Sequence, residues 1–262
     1  MLYPNPPHLE CGFYFHDISE ADALAQMTDY LTSRKVAFTG RIVAAFDHNI
    51  RSRVVRWEPA WLEDERTDAV KSLDIDVTAL VEYVRDESVK VIQIEMRSAL
   101  GISTKREVLG YCPLPRMFLG NHAIEILADG QAFTGYGGET NTSEARRLGR
   151  RTYEWFLATA RDLAPSYATI TVEKPIPIPA QLGKIESSTV FTDFYISNAY
   201  VGESGVTRIK SIYTSAYIEI VGDGVYISCY EYFNPNRVAV EYNICREWSK
   251  EAARLIAKGA TR

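Results

Sequence analysis

The feature that most limits what this chain can fold into is a pair of β-branched and aromatic runs joined by three small residues. Ile212 to Val221 and Val225 to Phe233 flank Gly222-Asp223-Gly224. Glycine reaches the positive φ that a tight turn between twisted strands needs, so the stretch predicts a β-hairpin. In its second arm Val225, Ile227, Cys229 and Phe233 share one side and Tyr226, Tyr230 and Tyr232 the other. Strand alternation therefore gives an aliphatic face and a tyrosine face, the latter suited to a packed helix or a partner.

A hairpin needs more sheet, and the rest of the chain supplies the patterns. Cys11 to Phe15 reads as a strand at a sheet edge. Ser19 and Asp22 make a capping box ahead of Leu24, Met27, Tyr30 and Leu31 at helical spacing, predicting a helix over 19–33. Val36 to Val55 reads as two short strands and a turn, and 76–86 as a short capped helix. Val89 to Arg97 alternates cleanly, with Val108 to Cys112 as its antiparallel neighbour. Ala123 to Leu127 and Gln131 to Tyr136 suggest a second hairpin around Asp129-Gly130.

Asn141 to Ala164 predicts a long helix, with Leu148, Thr152, Trp155, Phe156, Thr159 and Leu163 on one stripe, arginines opposite, and Pro165 as the stop. Tyr167 to Val172 and Phe191 to Ile196 read as strands, Pro175 to Pro179 as an extended segment, and Ile244 to Ala257 as a closing helix. Runs of strands punctuated by helices, without strict alternation, predict an α+β fold with a mainly antiparallel sheet. The 262 residues make either one domain or two tightly packed halves, about 1–115 and 116–262, split near Pro113 and Pro115.

No chemistry announces itself. Gly135-Tyr136-Gly137-Gly138 precedes a helix, where backbone amides favour a phosphate, yet neither G-x-x-x-x-G-K-[ST] nor G-x-G-x-x-G is present. His8, His16, His48 and His122 form no metal-ligand spacing, and His122 with Glu125 would sit on opposite faces of a strand. Asp74 and Asp76 with Glu95 and Arg97 only loosely imitate a magnesium nuclease, and Ser204 lacks a strand-to-helix elbow. Cys11, Cys112, Cys229 and Cys245 form no C-x-x-C pair and read as buried free thiols. No cofactor or metal is expected.

Charge points towards binding. Acidic residues outnumber basic ones 34 to 29, which disfavours direct contact with nucleic acid and suits a basic partner. The acid is concentrated at Glu63, Asp64, Glu65 and Asp68, with Trp57 and Trp61 beside it as aromatic anchors. No signal-like start and no membrane-length apolar run is visible, so the expected location is the cytoplasm.

Three segments carry a family likeness: Tyr167 to Glu173 with the prolines after it, Phe194-Tyr195-Ile196-Ser197, and Gly222 to Ser228 leading to Phe233-Asn234-Pro235. They resemble the C-terminal half of the immunity protein 52 family of bacterial polymorphic-toxin systems, which include those served by type VI secretion. The resemblance implies an α+β fold and a stoichiometric inhibitor of one cognate toxin, typically a nuclease domain. It brings across no catalytic residue. The binding candidates are therefore Trp57, Trp61, Glu63, Asp64, Glu65, Asp68 and the tyrosines Tyr226, Tyr230 and Tyr232. Two other classes compete: an enzyme acting on a nucleotide or phosphorylated ligand around 135–141, and a structural subunit that self-associates through the tyrosine face.

Overall fold

The structure, a computed structural model, describes residues 8–46, 89–97, 107–111, 123–130, 142–172, 179–182, 193–229 and 242–259. The fold is α+β, and the described strands form one nine-stranded antiparallel sheet. The strands are β1 (His8–Tyr14), β2 (Ala37–Phe46), β3 (Val89–Arg97), β4 (Glu107–Tyr111), β5 (Ala123–Asp129), β6 (Tyr167–Val172), β7 (Asp193–Ser197), β8 (Tyr217–Val221) and β9 (Gly224–Ser228). They lie in the order β2-β3-β4-β5-β1-β6-β7-β9-β8. The helices are α1 (Glu20–Ser33), α2 (Thr142–Leu163), the short α3 (Pro179–Leu182), α4 (Asn198–Ile212) and α5 (Tyr242–Gly259).

Each sheet face buries a different set of side chains because successive residues of a strand point to opposite sides. On one side Leu9, Cys11 and Phe13 of β1, Ile124 and Ile126 of β5 and Tyr226 of β9 meet Leu24, Met27 and Leu31 of α1 and Phe156 and Ala160 of α2. On the other, Tyr14, Tyr167, Phe194, Ile196, Val225 and Ile227 pack with Val206 and Ile209 of α4 and Ala252 and Ile256 of α5. Strands β7 and β9 are buried along their whole length, so neither has a solvent face.

The helices start and stop where local chemistry dictates. Ser19 caps α1, its Oγ accepting from the Asp22 amide at 3.2 Å and donating to the Asp22 carboxylate at 2.6 Å. Helix α2 ends at Leu163, ahead of Pro165, which has no N–H to continue the ladder. The buried Thr159–Tyr30 hydroxyl pair, 3.2 Å, and the exposed Arg34–Asp162 ion pair, 2.7 Å, tie α2 to α1.

Several expectations change. The N-terminal strand lies inside the sheet, hydrogen-bonded to β5 on one side and β6 on the other, because two strands far along the chain pair with its two edges. That placement also interleaves strands from either side of residue 115 in one sheet. Within 36–55 the described part is one ten-residue strand, β2, with an irregularity between Phe38 and Ile42; the rest of that expected pair, 47–55, falls outside the described residues. Strand β5 pairs with β1 and β4; the second arm of its expected hairpin, 131–136, falls outside the described residues, as does the short helix expected at 76–86. Pro179, expected in an extended segment, opens α3.

The chain also contains a helix the sequence reading omitted. Strand β7 passes directly into α4, capped by Ser197, whose Oγ accepts from the Tyr200 amide at 3.2 Å. Gly202, at φ 77, breaks this helix after its first turn.

Candidate interaction surface

The predicted hairpin is present with a shorter first arm, because Ile212 ends α4 and β8 starts only at Tyr217; β8 and β9 pair in register from Tyr217↔Ser228 to Val221↔Gly224, around the two-residue turn Gly222-Asp223. The turn is anchored from below. Asp223 receives the Tyr195 hydroxyl at 3.0 Å, and its backbone carbonyl accepts from the Asn198 amide at 3.1 Å, so the turn rests on the start of α4. Gly222 adopts φ 57, the left-handed region open to glycine without a side-chain penalty.

Parity in β9 follows the sequence, but Tyr226, the described member of the tyrosine face, meets a helix. Tyr226 is fully buried, stacked edge-on against Tyr153 and Phe156 of α2. Its hydroxyl donates at 2.6 Å to Oδ1 of buried Asp193, which Ser228 Oγ also contacts at 2.6 Å. Burial, reinforced by the Asp193 carboxylate, holds the Tyr226 phenol well above its ordinary ionisation range. Tyr226 is therefore corrected from a candidate partner contact to an interior strut. Strand alternation says which residues share a face, whereas the position of α2 decides which face is covered.

Next to this strut lies a second tyrosine–carboxylate group nearer the surface. Glu219 of β8 accepts through Oε2 from Tyr217, 2.7 Å, and from Tyr153 of α2. Desolvation and the Glu219 carboxylate both push the Tyr153 phenol upward. Glu219 thus stays on the α2 side of the sheet end while remaining partly exposed.

Strand β8 is the last strand of the described sheet, and its other side chains explain how it meets solvent. Ile218 packs on the α4–α5 core, but Ile220, on the same side, is 73% exposed. Full burial of an isoleucine contributes about 1.5–3 kcal/mol, so an isoleucine held in water on an end strand forgoes most of that. Ile220 and Glu219 are not among the residues the sequence singles out, although the alternation of Ile218, Glu219 and Ile220 places them on opposite faces of a strand.

Cys229 and Cys245, expected as free thiols, form a disulfide that joins the end of β9 to the first turn of α5. Their spacing of 16 residues matches no local motif, and only the docking of α5 on the sheet brings them together. Cys11 is the free, buried cysteine among the described residues.

The remaining binding candidates Trp57, Trp61, Glu63, Asp64, Glu65, Asp68, Tyr230 and Tyr232 lie outside the described residues, as do Asp74, Asp76, His48, His122 and the glycines at 135–138. Glu95 is buried on β3 and Arg97 is exposed two residues on. Ser204 sits in α4 beyond the Gly202 break and away from the β7–α4 junction. Among the described residues no cluster of three or more His, Cys, Asp or Glu is placed to hold a metal, and no helix is long and apolar enough to cross a membrane.

No family model matches the chain, and no curated protein matches it. Among solved structures it is similar to the Pseudomonas aeruginosa T6SS protein PA0821, with 12% identity and a TM-score of 0.41, over 95% of this chain and 72% of that one.

Proposed function

We propose that this chain is an inhibitory binding protein, an immunity protein that neutralises a cognate toxin by covering a basic, nuclease-type surface in a one-to-one complex. The observation behind this reading is the end of the described sheet, where β8 carries exposed Ile220 on one side and the carboxylate of Glu219 on the other. An end strand that offers an apolar side chain on one face and a carboxylate on the other suits a contact in which apolar area supplies the affinity and charge steers a basic partner. The resemblance of the Gly222 to Ser228 segment to immunity protein 52 supports the same reading, and so does the overall acid surplus. The polar groups that could otherwise suggest chemistry, Asp193 with Tyr226 and Ser228, join β7 to β9 inside the core.

A nuclease groove must be basic to hold phosphates, so carboxylates at Glu63, Asp64, Glu65 and Asp68 would compete for it, with Trp57 and Trp61 as desolvated anchors. The inhibitor would then act in the cytoplasm of the cell that makes it. The test is co-expression with the product of the adjacent gene. Growth arrest by that product, relieved by this chain through a stable one-to-one complex, is expected. A combined Glu63→Lys, Asp64→Lys, Glu65→Lys variant should fold, associate more slowly and lose the salt dependence of association. An adjacent product that is harmless, or that stays toxic alongside this chain, would overturn the reading.

A further inference from the structure

The hairpin turn fixes which backbone groups of β8 face outward. In a two-residue hairpin the flanking residues, here Val221 and Gly224, form the closing hydrogen-bonded pair, and the bonded positions then alternate along the ladder. Val221, Glu219 and Tyr217 therefore bond towards β9. Ile218 and Ile220 aim their N–H and C=O groups away from it, beyond the last strand of the described sheet.

Edge strands are ordinarily protected by proline, lysine or a covering element. Strand β8, Tyr-Ile-Glu-Ile-Val, has neither proline nor lysine, and its Ile220 side chain is 73% exposed beside the open backbone. Among the described residues its guards are its shortness and the charge of Glu219. The two sides of the strand also differ in chemistry. Ile218 and Ile220 face the α4–α5 side, while Glu219 faces the α2 side with Oε2 occupied by two phenols and Oε1 left to accept from elsewhere.

We propose that this edge receives an extended strand of the partner protein by β-addition, with apolar residues beside Ile218 and Ile220 and a lysine or arginine opposite Glu219. The inference deepens the inhibitory reading by naming how the partner docks. Glu219 bonds inward, so a residue added opposite it occupies a non-hydrogen-bonded pair, the closer kind, where a like charge repels and an opposite charge attracts. The Ile218 and Ile220 backbone supplies the affinity that is independent of sequence, and alternate side chains set the register. The same charge argues against a second copy as the occupant. The two-fold register that pairs all five residues of β8 sets Glu219 against its own copy, and every other two-fold register pairs at most three.

The probe is a capped nonapeptide, Thr-Val-Thr-Val-Lys-Val-Thr-Val-Thr, titrated into isotope-labelled protein, with a lysine-to-glutamate peptide as control. Shifts and slowed exchange at the Ile218 and Ile220 amides are expected, with at least fivefold weaker binding of the glutamate peptide. Ile220→Pro, which removes an outward donor without touching the β9 ladder, should abolish binding at an unchanged fold by circular dichroism; Ile220→Lys should weaken it. If Ile220→Pro does not fold, a peptide N-methylated along one edge makes the same test and should fail to bind. Unperturbed Ile218 and Ile220 amides, equal binding of the two peptides, or self-association abolished by Ile220→Lys would each overturn the proposal. Full protection against the toxin by a folded Ile220→Pro variant would also overturn it while leaving the inhibitor reading intact. Failure of the wild-type chain to protect would sink that reading and leave the peptide result standing.

Discussion

The Tyr226 hydroxyl reaches across from β9 to the Asp193 carboxylate of β7 at 2.6 Å, and both residues are fully buried. A buried carboxylate is costly unless donors surround it, so this bond matters more for what its loss would expose than for its own strength. Tyr226→Phe should lower unfolding free energy by about 1–3 kcal/mol, read as a shift in the urea midpoint. Ser228→Ala should act in the same direction, and the double variant should depart from additivity because both hydroxyls serve one oxygen. An unchanged midpoint in Tyr226→Phe would remove the strut from the account of this core.

The two glycines of the turn are needed for different reasons. Gly222 holds φ 57, where a β-carbon has space but the backbone is strained, so Gly222→Val should cost roughly 1–2 kcal/mol and Gly222→Asn less. At Gly224 the obstacle is a neighbour: an added β-carbon would lie 2.7 Å from the Tyr195 ring and closer still to the Ile196 carbonyl oxygen. That backbone belongs to central strand β7 and cannot step aside. Gly224→Val should therefore lower the melting temperature more than Gly222→Val, and the reverse order would refute the assignment.

These residues also show what a sequence can reveal. Gly-Asp-Gly, the Ser19–Asp22 cap and Pro165 are local signals, and the hairpin, α1 and α2 stand where they indicate. The position of β1 inside the sheet depends on partners far along the chain, β5 and β6, which no local pattern encodes. Helix α4 was concealed by Gly202 and Gly205 within it, although the Ser197 cap and the spacing of Val206 and Ile209 were legible. For the site, alternation correctly separated the two faces of β9, but burial of Tyr226 required knowing where α2 packs. The edge of β8 was equally invisible, since strand order is a property of the whole sheet.

The Cys229–Cys245 bridge closes a segment of 16 residues that includes Tyr230 and Tyr232. Chain entropy alone assigns a loop of this size about 3 kcal/mol. Reduction should then lower the melting temperature by roughly 6–12 °C, at about 2–4 °C per kcal/mol for a chain this long. A Cys229→Ser, Cys245→Ser variant should melt low and ignore reductant. Burial pushes the Cys11 thiol far up, so that residue should neither exchange with the bridge nor react with alkylating agents in the folded state. A cytoplasm keeps thiols reduced, so the reduced form measures the stability relevant to the proposed location. Identical melting with and without reductant would show that the bridge contributes nothing.

Glu125 sets a pH dependence. It lies on β5 directly across from Gly12 of β1 and Gly110 of β4, so neither cross-strand neighbour offers a side chain to its carboxyl. Desolvation pushes its pKa from 4.5 up to about 7. The folded protein therefore binds this proton more tightly than the unfolded chain. Its contribution is fully present below about pH 4.5 and is lost as pH rises through about 7. The raised phenols of Tyr14 and Tyr153 ionise far above that window, and Glu247, drawn down by Lys250, titrates below it. Glu125→Gln should mimic the protonated form, so that urea midpoints of wild type and variant agree at pH 4.5 and separate by pH 8, with the wild type lower. Curves that run parallel from pH 4.5 to 8 would show that Glu125 ionises normally and that the glycine-flanked position does not desolvate it.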